Sequence, residues 1–358
     1  MGSFLHLFLA LLVLSIELRV RMVGAQSCSS VRKRKEWRTL DRASQISYIK
    51  AVKCLGTKPS RLSTEFQLRR YDDFQYVHAS LQGEIHFVAQ FLPWHRHFIY
   101  IYEKELHKCG YSGSLPRWNW ALDARNVTAG PVWSSDRQVT GFGTNGTGPH
   151  NSNLEIAGGR VMDGAFREFE LRHPQTHFLE RAWTIFLDSS INGSIFGSQY
   201  FDNNAIRNIL RLRTFSDFWV AVEGENPDIV QDASPGPHAM VHALVGAEFS
   251  TPAYSANDTD IMLNLNRFNS LFFLHHANID WLWWRWQHAN PKRQMMAYEG
   301  NTRQGRTWPD ASLDDTLEFI GLDGSNPLVR DTMDASKFPY CYACAPISLY
   351  DLESLESI

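Results

Sequence analysis

PHAMVHALVG, residues 237–246, and FFLHHANID, residues 272–280, carry the spacing from which the fold and chemistry of this chain can be read. In the first, His238 and His242 stand four apart, and on a helix that puts both imidazoles on one face, within reach of one ion. The same spacing serves zinc in HExxH enzymes. Here Ala239 follows His238 where the glutamate base would stand, which disfavours a zinc protease. In the second stretch, Asp280 lies one turn after His276 and is a candidate acceptor for its ring N–H, while His275 points about 100° away on a helix.

A second cluster lies upstream. Of 14 histidines, His78, His86, His95 and His97 fall close together. His86 and His95 bracket the apolar segment IHFVAQFLPWH, where a charged imidazole would be costly and a neutral, metal-bound one would not. No Asp, Glu or Cys recurs with these histidines at ligand spacing, so each site is all-imidazole. That donor set leaves copper and zinc both open.

The periodicity around the clusters is helical. Ile46, Ile49, Val52 and Leu55 predict a helix over 41–55, with Gly56 as its stop and Pro59 just beyond. A second begins near Pro93, places His95, Ile99, Tyr102 and Leu106 on one face, and ends before Cys109. Residues 124–165, rich in Gly, Asn, Ser and Thr, read as a long surface excursion, and 167–222 as helical again. A proline-rich connection, Asn226 to Pro237, delivers the next histidines. The last long helix, about 271–288, carries Trp281, Trp283, Trp284 and Trp286 until Asn290-Pro291 stops it. The expectation is a mainly α protein, a helical bundle with a central four-helix core in which two histidine-bearing helix pairs face one another, with long connecting loops and few short strands.

The chain has 358 residues, 44% hydrophobic and 20% charged, enough for one large domain or two closely packed ones. A formal charge of -3 argues against nucleic acid and for a small-molecule partner. The basic run VRKRKEWR, residues 31–38, reads as a solvated face. Residues 4–16, FLHLFLALLVLSI, followed by Val23-Gly24-Ala25, read as a secretory signal over 1–25, implying a secreted protein with no stable membrane association once it is cleaved. Sequons at Asn126, Asn145, Asn192 and Asn257 agree with secretion. Disulfides are then the default for Cys28, Cys54, Cys109, Cys341 and Cys344, one thiol staying unpaired if the other four pair. Cys341-x-x-Cys344 reads as a structural bridge near the C-terminus rather than a zinc or redox motif.

The segments DDFQYVHASLQGEIHFVAQFLPWHRHF, VEG with PHAMVHALVG, FFLHHANIDWLWWRWQ and the closing Tyr340-Cys341-Tyr342 resemble the tyrosinase, catechol oxidase and hemocyanin group, especially its fungal tyrosinase-like members. The resemblance implies a dicopper domain over 26–347 with a short tail, 348–358. It implies one copper on His78, His86 and His95, and a second on His238, His242 and His276, with His275 as a neighbour. Glu223, in VEG, matches an acid that holds a water able to accept a phenol proton, set against a reading as an ordinary surface carboxylate. The implied reaction uses O2 to oxidise o-diphenols to o-quinones, with monophenol hydroxylation as an extension and reversible oxygen carriage as the alternative; the substrate is a phenolic small molecule or a peptide side chain. Glu84 stands where many fungal relatives have a cysteine that forms a thioether to a ligand, so no such crosslink is expected. Ala239 replaces an asparagine common in monophenol-hydroxylating relatives, which weakens the case for hydroxylation. Asn269-Ser270 and Arg117 also depart from the pattern, and a C-terminal shielding domain is expected to be absent.

Overall fold

The computed structural model describes residues 27–62, 68–136, 140–149, 159–183, 197–246, 271–306 and 308–344. The signal segment, Asn192, Asn257, Asn269-Ser270 and the 348–358 tail lie outside the described residues. Helices dominate. They are α1 (Arg42–Leu55), α2 (Arg70–Ser80), α3 (Gln82–Ile85), α4 (Phe91–Lys108), α5 (Asn203–Leu210), α6 (Phe215–Glu223), α7 (Pro237–Val245) and α8 (Phe272–Ala289), followed by single turns at Pro291–Gln294 and Val329–Thr332.

Local chemistry sets the helix ends. Asp41 accepts the Ser44 N–H at 2.7 Å to open α1, whose Tyr48, Ile49, Val52 and Leu55 are buried, and Gly56 follows it. Pro237 occupies the first position of α7, where its missing N–H costs nothing. Just before it, Gly224 at φ 108 and Gly236 pass so close that a Cβ on Gly236 would lie 2.6 Å from the Gly224 nitrogen. This contact brings the start of α7 back beside the end of α6. At the centre, α4 packs along α8, and α1 and α6 flank α4. The tryptophans of α8 are core: Trp281, Trp283 and Trp286 are buried.

Strands are short. β1 (Arg32–Arg34) pairs in parallel with the strand Tyr342–Cys344, joining the two ends of the described chain. The basic run is therefore not a solvated face. A strand sends alternate side chains to opposite sides, so Lys33 is exposed while Arg34, on the side that faces Glu103 and Asp280, is fully buried. Its guanidinium donates to Glu103 at 2.8 Å and Asp280 at 3.0 Å and lies 3.7 Å over the Tyr342 ring.

Two further expectations are corrected. Over 167–222 the helical pattern holds for α5 and α6, but 170–181 forms short antiparallel pairings, Glu170–Leu171 with His177–Phe178 and Gly159–Arg160 with Glu180–Arg181. Pro174 sits in the turn of the first and cannot donate to a helix. The described part of 124–165 is not a surface excursion, since Val127, Val132, Trp133, Phe142 and Val161 all enter the core. Its backbone is satisfied by tight turns at Val127–Ala129 and Pro131–Trp133 and by Arg181, which donates to the carbonyls of Phe142, Gly143 and Thr144.

Two disulfides form, Cys28–Cys341 and Cys54–Cys109. The CxxC is not a bridge in itself. Cys341 reaches back to the N-terminal segment, and Cys344 is a buried free thiol.

Candidate metal centre

Four helices and one turn deliver the histidines. His78 comes from the last turn of α2 and His95 from the first turns of α4, while His86 sits in the irregular turn just after α3. His238 and His242 share one face of α7, as their spacing requires, and His275 and His276 lie on α8. All seven rings are buried.

They form two groups. In one, His78, His86 and His95 have ring centroids 4.9 to 5.4 Å apart, and in the other His238, His242, His275 and His276 bring their ligating nitrogens within 4.8 Å of one another. The groups abut. His86 stacks on His238 at 5.7 Å, and His95 lies parallel to His276 at 4.4 Å. Sequence reasoning set His275 aside as a neighbour pointing away, whereas its ring lies 4.7 Å from His242 and 5.4 Å from His238. What separates the two is direction: His276 faces the first group through His95, and His275 lies toward Trp120.

Six of these rings are held neutral. Burial, reinforced by neighbouring imidazoles, pushes His78, His95, His238, His275 and His276 well below the usual histidine range and takes His86 down to about 3. Backbone contacts fix two tautomers. His95 Nδ1 lies 2.8 Å from the Phe91 carbonyl and His86 Nδ1 lies 3.3 Å from that of Gln82, so each ring donates there and turns an Nε2 lone pair inward. His86 Nε2 and both ring nitrogens of His238 and His276 have no hydrogen-bond partner among the described residues. Buried donors and acceptors are rarely left so, and a metal ion would account for one nitrogen of each ring. The fit is to ions that accept neutral nitrogen, two of them side by side.

Asp280 does not orient His276. Its carboxylate accepts from Arg34 at 3.0 Å, from Arg96 at 2.6 Å and from the Tyr342 hydroxyl, so it belongs to a charge network behind the site. Glu223 is not a surface carboxylate. It is 1% exposed, accepts the Phe87 N–H at 2.9 Å and the Trp219 indole N–H at 2.7 Å, and burial pushes its carboxyl well above the usual range. Phe87 follows His86, so Glu223 touches the backbone of the first group. Trp219, one turn before Glu223 on α6, went unnoticed in the sequence; the i, i+4 spacing of a donor and an acid on a helix was the available signal.

A helical core that sets two clusters of neutral imidazoles face to face defines a binuclear, all-histidine metal protein. The family model described as the common central domain of tyrosinase matches residues 68–289, more than half of the chain. Tyrosinase-like protein phomQ1 of Diaporthe leptostromiformis is 32% identical over 88% of this chain and 78% of its own. Tyrosinase P of Aspergillus terreus is 30% identical over 93% of this chain and 98% of its own, and N-acetyl-6-hydroxytryptophan oxidase ivoB of Emericella nidulans is 29% identical over 94% and 99%. Among solved structures, a polyphenol oxidase from Thermothelomyces thermophila shares the fold, with a TM-score of 0.67 at 22% identity covering 93% of both chains. This chain belongs to the tyrosinase family. It is a copper oxidoreductase of the tyrosinase type, with a binuclear type-3 copper centre. Among the described residues, no helix is long and apolar enough to cross a membrane.

Proposed function

We propose that this protein uses O2 to oxidise o-diphenols to o-quinones, with one copper on His78, His86 and His95 and the other on His238, His242 and His276. The observation that carries the ligand set is the pair of abutting, buried, neutral imidazole groups, with His276 rather than His275 facing across to the first. When bound, the copper pair supplies O2 binding and electron transfer. The chain's own residues keep the pocket dry, hold the ligands as neutral donors and manage protons. Two diphenols lose four electrons and four protons, and one O2 becomes two waters.

Glu223 is the proposed proton holder. Each carboxylate oxygen already accepts one N–H and retains a second lone pair, so the group stays anchored while it holds a water or takes a proton from a phenol. Free phenols ionise near pH 10, so a base in the pocket helps at neutral pH. A hydroxylated aromatic is the substrate class, as the name of the relative ivoB indicates for that protein. Secretion is proposed from the 1–25 signal pattern, and the two disulfides suit an oxidising compartment.

The test is oxygen uptake by the copper-loaded protein with a catechol and with its matching monophenol. Rapid uptake with the catechol and slow or lagging uptake with the monophenol is expected. Reversible O2 binding without turnover of either would replace the oxidase reading with that of a carrier.

A further inference from the structure

His86 has no helix to hold it. Between α3 and α4 the chain passes through an irregular turn in which Phe87 adopts φ 55, the left-handed region that a bulky residue rarely enters. Something must hold that turn. Its Phe87 N–H goes to Glu223, and three further backbone groups are taken by one remote turn that begins at Gly300. Gln304 Nε2 donates to the His86 carbonyl at 3.0 Å, Asn301 Nδ2 donates to the Phe87 carbonyl at 3.1 Å, and the Ala89 N–H donates to the Asn301 carbonyl at 2.8 Å.

This strap is stiff in its own right. Asp310 accepts the Thr302 N–H at 2.8 Å and hydroxyl at 2.9 Å and pairs with Arg306, while the Asp310 and Ala311 N–H groups return to the Gly300 carbonyl at 2.9 and 3.0 Å. Asn301 Nδ2 also donates to the Arg303 carbonyl at 2.8 Å, which fixes the amide. At Gly300, φ is 132 and a Cβ would lie 2.8 Å from the Trp219 ring and 3.3 Å from the Ala89 Cβ. The strap comes this close to the His86 turn because a glycine stands there.

We propose that Gln304 and Asn301 are positioning residues for His86, holding the one ligand that sits outside a helix and thereby setting the copper affinity of the first site. The inference rests on the dicopper reading. The strap follows α8 in the chain, so it links the helix that bears His276 to the backbone of His86.

Gln304 is exposed, so replacing it leaves the fold intact. Gln304→Ala removes the donor, Gln304→Glu sets an acceptor against the His86 carbonyl, and Gln304→Lys keeps an N–H donor on a chain of similar reach. Copper per chain by elemental analysis, competition with a chelator, and melting of metal-free and copper-loaded protein are measured for each. The Ala and Glu variants are expected to bind one of the two coppers about 10- to 100-fold more weakly. Their metal-free melting temperatures stay at the wild-type value, and Lys restores affinity. Wild-type copper affinity in all three variants overturns the proposal, as does a lowered metal-free melting temperature with unchanged affinity. A wild-type protein that takes up no copper overturns the dicopper reading itself, and is distinguished by that control.

Discussion

Replacing Asp280 with asparagine tests what the carboxylate beside the copper helices does. Arg34 and Arg96 are both fully buried, and their two positive charges face Glu103 and Asp280 in side chains no more than 3% exposed. Asparagine removes one of the two negative charges and leaves Arg96 held by the carbonyls of Thr332 and Met333 and by Gln287. Breaking a buried pair from one side costs about 3–5 kcal/mol, and since the amide oxygen still accepts one bond, the lower end, ~3 kcal/mol, applies. At ~2.1 cal/mol/K of unfolding entropy per residue, a chain of 358 residues shifts by ~1.3 °C per kcal/mol, a fall of ~4 °C in melting temperature. Thermal melts by circular dichroism, on metal-free and copper-loaded protein, read it directly. The fraction that stays folded should bind copper as the wild type does, because Asp280 touches no ligand. A variant that melts like the wild type but holds copper weakly would refute this account and restore Asp280 as the group that orients His276.

Other measurements follow from the same geometry. The Cys54–Cys109 bridge closes a loop with a sequence separation of 55 between the ends of α1 and α4, so Cys54→Ser with Cys109→Ser should lose up to about 4 kcal/mol in chemical denaturation. Cys344 is buried, and burial pushes its thiol up to about 12, so a thiol reagent should leave the native chain unmodified and label one sulfur per unreduced chain in denaturant. Burial raises the Asp323 carboxyl, but the His97 ring 3.7 Å away and the hydrogen bonds from the Ser325 N–H and hydroxyl outweigh it and bring the group from 3.8 down to about 2. A folded value below the unfolded one means stability present above pH 3.8 and lost as pH falls toward 2. Asp323→Asn should therefore cost ~1 kcal/mol at neutral pH, with the two melting curves converging near pH 2.

How far the sequence could be read depended on the range of the interaction. His238 and His242 were legible because a helix repeats every 3.6 residues, and α7 keeps both on one face. His78, His86 and His95 were legible as a cluster facing the later histidines, but that the two sets hold a copper pair rested on the family resemblance. Arg34 looked like one of several surface cations because burial of a short strand depends on the partner strand, which lies more than 300 residues away. The Asp280 reading followed helical spacing from His276 and missed that α8 turns this residue toward Arg34 and Arg96 instead. Asn301 and Gln304 act through hydrogen bonds to the remote backbone of Phe87 and His86, which leave no periodicity. The 170–181 pairings escaped for a related reason: strands of two residues are too short for alternation to register.

The parallel pairing of Arg32–Arg34 with Tyr342–Cys344, locked by Cys28–Cys341 across a sequence separation of 313, bears on how the chain is made. At ~5–20 residues per second, a ribosome delivers the second half of this clasp roughly 15–60 s after the first. Through that interval Arg34 has no Tyr342 ring to stack on and Cys28 has no Cys341 to oxidise with. The copper helices can assemble earlier, whereas the clasp closes last, after translation has passed Cys344. Closure of this clasp, and not collapse of the helical core, is then the event that completes the described fold.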